Sequence, residues 1–204
     1  MSDYRIAIAM WDGIEELDLA GPYEVLTSWA RSSERPITVK TYAADGATVT
    51  ASHGLKIVPD GSLDEIGEVD LFVMPGGDTR PLVADDAFVA RVRAIADTGA
   101  LMASVCTGAF VFEKAGLLEG RRATTHWSAL DRLEQLGVSV DRDARYVDEG
   151  QVVTAAGVSA GIDMALHLVA RLDSDELAAH VRRYIQYEPA AVPAEILNRG
   201  DSGA

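Results

Sequence analysis

One stretch constrains the fold of this chain more than any other: Leu101-Met102-Ala103-Ser104-Val105-Cys106-Thr107-Gly108-Ala109-Phe110. Its first five residues form a short apolar run, the pattern of a strand buried in a parallel sheet. The only cysteine of the chain follows, then Thr107 and Gly108, and then a helix-like segment. A strand that turns sharply into a helix presents the residue at the turn at the carboxyl edge of the sheet. This is the nucleophile elbow, usually written G-x-S-x-G, and here it reads Ser104-x-Cys106-x-Gly108. A thiol placed there meets the free N–H groups and partial positive charge of a helix N-terminus, which favour the thiolate. A buried, inert cysteine is the competing reading of the same window.

The rest of the chain supplies the remaining layers of such a sheet. Residues 4–11, 37–44 and 69–75 read as further core strands, and 121–125 as a short one. Tyr23, Leu26, Trp29 and Ala30 recur at helical spacing beyond Pro22, which suits a first helical turn. Asp18 then lies in the segment leaving the first strand, or in that first turn. Phe88, Val92, Ile95 and Ala96 predict a helix over 85–97, stopped by Gly99. Others are expected from the elbow to 116, and over 128–136 with Gly137 closing it. Ser159 suits the N-cap of a helix carrying Ile162, Ala165, Leu166, Val169 and Leu172. Ser174 suits that of a last helix, with Leu177, Val181, Tyr184 and Ile185 inward. Hairpins are expected around His53-Gly54 and Glu149-Gly150. The small, polar stretch 199–204 is expected to fray. Strands alternating with helices imply an α/β fold, a mostly parallel sheet covered on both faces.

Two hundred and four residues suit one domain over 1–204. A formal charge of −14 argues against nonspecific nucleic-acid binding, since phosphates would repel an acidic surface. No apolar run approaches the length of a membrane span, and no basic-then-apolar leader is seen at the N-terminus. One cysteine forms no intrachain disulfide, and four scattered histidines suggest no metal cluster. A reducing, cytoplasmic setting is therefore the expectation. The strand at 69–75 ends in Gly76-Gly77-Asp78. Paired glycines after a buried strand let backbone approach a ligand and aim N–H groups at it; a plain tight loop is the alternative.

Together these stretches resemble the ThiJ/PfpI superfamily, flavodoxin-like proteins related to class I glutamine amidotransferase domains. The resemblance spans about 6–187. It rests on Leu17-Asp18-Leu19-x-Gly21-Pro22, Pro75-Gly76-Gly77, Ser104-Val105-Cys106-Thr107-Gly108, Ala123-Thr124-Thr125-His126-Trp127 and Ala160-Gly161-Ile162-Asp163. Within the superfamily the likeness is strongest to bacterial isocyanide hydratases. The N-terminal domains of some AraC-type regulators share two of the stretches and continue into a helix-turn-helix region, where this chain stops.

The resemblance implies a flavodoxin-like three-layer sandwich with Cys106 as nucleophile and Asp18 as the acid beside it. Glu16 competes for the acid role, because many superfamily members carry Glu there. A carboxyl close to an anionic sulfur should have its pKa raised by like charge and desolvation, so that it can give and take a proton. Gly76, Gly77 and Thr107 are the candidate oxyanion and substrate donors. Capping the elbow helix is an alternative role for Thr107. His126 is a possible base, as in superfamily proteases and glyoxalases. Trp127 is expected in the core or the pocket wall, and Asp163 at a helix start. The implied activity is addition of water to an isocyanide through a covalent thioimidate. No metal or organic cofactor is implied, and a homodimer acting on a small molecule is expected. The alternatives are a glyoxalase or deglycase using Cys106 and His126, a protease, or a stress or ligand sensor whose Cys106 is oxidised.

Overall fold

The computed structural model describes residues 3–188, and the stretch 199–204 expected to fray lies outside them. The chain runs β1 (Tyr4–Ala9), α1 (Glu16–Ser32) and β2 (Ile37–Ala43), then a small hairpin of β3 (Val49–Thr50) and β4 (Lys56–Ile57). β5 (Gly61–Ser62), β6 (Leu71–Met74), α2 (Arg80–Ala84), α3 (Asp86–Asp97), β7 (Leu101–Val105) and α4 (Ala109–Lys114) follow. After these come β8 (Arg122–Ala123), α5 (Leu130–Gln135), β9 (Ser139–Val140), β10 (Tyr146–Asp148), β11 (Val152–Ala155), α6 (Ala160–Leu172) and α7 (Asp175–Tyr184).

Seven strands form one sheet in the order β10-β11-β7-β6-β1-β2-β5. Every neighbouring pair is parallel except β10 with β11, which is the expected hairpin. β6, β7 and β11 are buried at every residue, which is why their sequences are apolar without alternation. The chain winds outward from β1 to β2 in one direction and from β6 to β7 in the other. Right-handed crossovers therefore send α1 and α3 to opposite faces. The packing agrees: α1, α6 and α7 form one layer, and α2, α3 and α4 pack together in another. The winding reverses between β1 and β6, and a crevice at the carboxyl ends of such strands is where open α/β sheets bind ligands.

Several elements differ from expectation. α1 begins at Glu16, six residues before Pro22, so the proline sits inside the helix and denies the Asp18 carbonyl its usual donor. Tertiary contact explains the tolerance. A Cβ at Gly21 would lie 2.9 Å from Ile162 Cγ1, and one at Gly161 would lie 3.1 Å from both Pro22 Cγ and Val105 Cγ1. α1 and α6 thus cross at their glycines directly on β7. The strand expected at 121–125 shortens to Arg122–Ala123 and pairs with β9 outside the main sheet. Ser159 makes no side-chain cap; its hydroxyl accepts from Arg145 Nη2. Ser174 does cap α7, accepting from the Leu177 N–H at 3.1 Å. Tyr184 is exposed rather than inward, and so is Trp127, at 77 %.

Candidate active site

Three chain segments meet at the carboxyl edge of β1, β6 and β7. The turn after β1 delivers Asp18 in the first turn of α1. The loop after β6 supplies Gly76 and Gly77, and it is stitched to the first segment by Glu15 N–H donating to the Gly76 carbonyl at 3.0 Å. β7 delivers Cys106, one of two non-glycine residues with positive φ among those described, at +56°. An L-residue held in the left-handed region is strained, and such strain collects at functional sites. The elbow is pressed against β6, for a Cβ at Gly108 would lie 2.3 Å from the Met74 carbonyl oxygen. Gly76 occupies the point of convergence. A Cβ there would sit 2.6 Å from Asp18 Oδ2, 2.8 Å from Cys106 Cβ and 2.8 Å from the Thr107 nitrogen.

Asp18 is fully buried. Its Oδ2 accepts from the Gly76 N–H at 3.0 Å, while Oδ1 has no hydrogen-bond partner. Burial pushes its pKa up to about 7, with a smaller push from the charge of Glu15, against the opposing effect of the Gly76 and Cys106 hydrogen bonds. Cys106 is 7 % exposed. Burial, and then the negative charge of Asp18, push its thiol up to about 12, although the N–H groups of Thr107 and Val158 act in the opposite direction. Of the two readings the sequence leaves open for this cysteine, burial weighs more than the donors at the turn. Between about pH 7 and 12 the Asp18–Cys106 pair therefore holds one proton.

The glycine N–H groups are not the free donors expected. That of Gly76 serves Asp18, and that of Gly77 donates to Thr107 Oγ1 at 2.9 Å. The Thr107 hydroxyl in turn donates to the Gly77 carbonyl at 2.8 Å, so it fastens the elbow to the glycine loop and does not cap α4. The backbone groups that favour the thiolate are the N–H groups of Thr107 and Val158. Val158 escaped the sequence reading, since a loop N–H leaves no mark in side-chain pattern.

Glu16 faces away from this pair. Its Oε1 accepts from the His53 N–H at 2.7 Å, and its Oε2 lies 2.8 Å from His53 Nδ1 and 3.0 Å from Ser52 Oγ. Hydrogen bonding to His53 holds its pKa down at about 2. Glu15, Glu16 and His53, none of them grouped by the sequence, place ligand-type atoms within 4.8 Å of one another. His126 is half-buried, with Nδ1 2.8 Å from Ser128 Oγ. Among the described residues no hydrogen bond joins its ring to Cys106. The ring lies on Gly157, where a Cβ would come within 2.5 Å of His126 Cδ2. Asp163 is paired with Arg145 and with the Tyr187 hydroxyl. Among the described residues no helix is long and apolar enough to cross a membrane.

A cysteine on a left-handed strand–helix turn, beside a buried carboxylic acid at the switch point of a parallel sheet, defines an α/β protein of the cysteine-elbow class. Residues 4–171 match the DJ-1/PfpI family, and the chain belongs to it. Isonitrile hydratase of Pseudomonas putida is 36 % identical over 187 residues, covering 91 % of this chain and 79 % of that protein. HTH-type transcriptional regulator GbdR of Pseudomonas aeruginosa is 31 % identical over 90 % of this chain, which spans half of the regulator's length. The crystal structure of a ThiJ/PfpI family protein from Pseudomonas syringae superposes with a TM-score of 0.85 at 29 % identity, covering 97 % of this chain and 84 % of that one.

Proposed function

We propose that this protein is a cysteine-dependent hydro-lyase that hydrates an isocyanide to an N-substituted formamide, acting as a cytoplasmic homodimer without a cofactor. The observation that carries the proposal is the buried Asp18 carboxyl, fixed by Gly76 N–H beside Cys106 and raised to a pKa of about 7. Such a group can accept and return a proton near neutrality. The similarity to isonitrile hydratase supports the same substrate class.

In the one-proton state Asp18 takes the thiol proton as Sγ attacks the terminal isocyanide carbon, then delivers it to that carbon. The product is a thioimidate, S–CH=N–R. Ionised Asp18 next accepts a proton from water as the water oxygen adds to the same carbon, and passes that proton to nitrogen. The C–S bond breaks with its electron pair on sulfur, the hydroxyl proton returns to the Asp18–Cys106 pair, and R–NH–CHO leaves. The N–H groups of Thr107 and Val158 stabilise the sulfur anion at both ends of the cycle.

Steady-state turnover of an aryl isocyanide and of methylglyoxal by Asp18→Asn and His126→Ala, with Cys106→Ala as the blank, tests the proposal. Loss of one acid–base group slows a reaction by about two to four powers of ten. Isocyanide hydration is expected to fall by that much in Asp18→Asn and to survive His126→Ala. The opposite pattern would overturn it, and methylglyoxal turnover lost in His126→Ala would favour the glyoxalase alternative. The similarity to GbdR supports a second reading, a sensor using the same cysteine; wild-type protein without turnover of either substrate would favour that one.

A further inference from the structure

The Thr124-Thr125-His126-Trp127 stretch contributes nothing to the proton cycle above, yet one of its side chains reaches the elbow. Thr125 is buried, and its hydroxyl donates to the Cys106 carbonyl oxygen at 2.6 Å. That carbonyl belongs to the same rigid peptide plane as the N–H of Thr107. Holding the oxygen, which also accepts from the Ala109 N–H, at one edge of the plane fixes where the N–H at the other edge points. The Thr107 nitrogen lies where Asp18 and Cys106 converge, 2.8 Å from a Cβ placed at Gly76, and this N–H opposes the rise of the thiol pKa. On the other side of the residue the Cys106 N–H donates to the Ala156 carbonyl at 2.8 Å. Both backbone polar groups of Cys106 are thus engaged, which suits a residue kept at φ +56° against its own preference. A carbonyl that accepts a hydrogen bond also makes the N–H of its amide a stronger donor.

We propose that Thr125 is a positioning residue for Cys106: its hydroxyl holds the Cys106–Thr107 peptide plane in the orientation that aims the Thr107 N–H at the sulfur. The inference rests on Cys106 being the reactive group, and not on what it reacts with. Its test therefore uses iodoacetamide, which needs no isocyanide, so failure here and failure of the hydratase reading are separate results.

Thr125→Val keeps the shape and removes the donor, while Thr125→Ser keeps the donor and removes a methyl group. The rate of Cys106 alkylation is followed from pH 6 to 10, beside thermal unfolding of each variant. Thr125→Val is expected to alkylate about tenfold more slowly across the profile, the scale of one lost buried hydrogen bond. Thr125→Ser is expected to stay within about twofold of wild type even if its melting point falls. A merely structural threonine would rank the variants by stability instead. Wild-type rates in Thr125→Val, or equal slowing in both variants, would overturn the proposal. Should Thr125→Val fail to fold, Thr125→Ala replaces it with the same expectation.

Discussion

Asp18 should make the protein less stable as it ionises, and the effect is large enough to measure without any substrate. Its carboxyl has an ordinary value of 3.8 and is raised to about 7 in the fold, chiefly by burial. A raised carboxyl pKa means that the folded state binds the proton more tightly than the unfolded chain does. Folding stability from this group is therefore full below pH 3.8, falls as pH rises towards 7, and is level above that. At 1.36 kcal/mol per pKa unit the fall amounts to about 4 kcal/mol, an upper bound if the pocket relaxes around the charge. Asp18→Asn has no such term. Urea unfolding of both proteins, followed by circular dichroism in steps from pH 4 to 8, gives the difference between them. The other titrating groups cancel in it, and so does any constant penalty from a poorly fitting amide. Wild type should lose about 4 kcal/mol relative to the variant over that range, about 10 °C in melting point for a chain of this size. A difference that changes by less than about 1 kcal/mol would show that Asp18 ionises as readily as in an unfolded chain. The proton cycle proposed for it would then have no physical basis.

Two further outcomes follow from the neighbouring groups. Glu16→Gln should leave Cys106 alkylation and isocyanide turnover within about threefold of wild type, since Glu16 is spent on His53; a loss of two powers of ten would make Glu16 the acid. The same variant should lower the His53 pKa, now raised by the Glu16 hydrogen bond, in an NMR titration of the imidazole. Gly77→Ala should cost stability, at least about 2 kcal/mol, because its φ is +123° and its Cβ would lie 2.3 Å from the Gly13 carbonyl oxygen. An unchanged melting point would show that the glycine loop can yield.

How far the sequence could be read depended on whether each cause was local. The elbow was legible because a short apolar run, a cysteine and a glycine are adjacent in the chain. The layer order was legible for the same reason, since apolar runs alternate with helical periods. Pro22 misled, because proline's local preference for a first turn lost to a tertiary contact with Gly161 and Ile162, about 140 residues away. Trp127 lies outside the core, because apolar character alone does not say which way a short turn faces. The state of the thiol is not legible in sequence, because a helix start is visible there whereas desolvation depends on everything packed around it. The glycine donors are not legible for the same reason: the pattern shows that backbone can come close, and not that Asp18 and Thr107 already occupy it.

Most of the motif residues set distances. Gly108 lets the elbow touch β6, Gly76 lets a carboxyl and a thiol meet, and Gly21 with Gly161 lets α1 settle on β7 so that Asp18 is delivered at the right depth. The proposed chemistry falls to one carboxyl and one thiol, together with backbone groups of Thr107, Ala156 and Val158 that no side-chain pattern encodes. A pair raised by burial depends on that close packing, for any gap that admits water would lower the desolvation cost that holds the proton on it. Substitutions at the α1–α6 crossing should therefore alter the Asp18–Cys106 titration while touching neither residue.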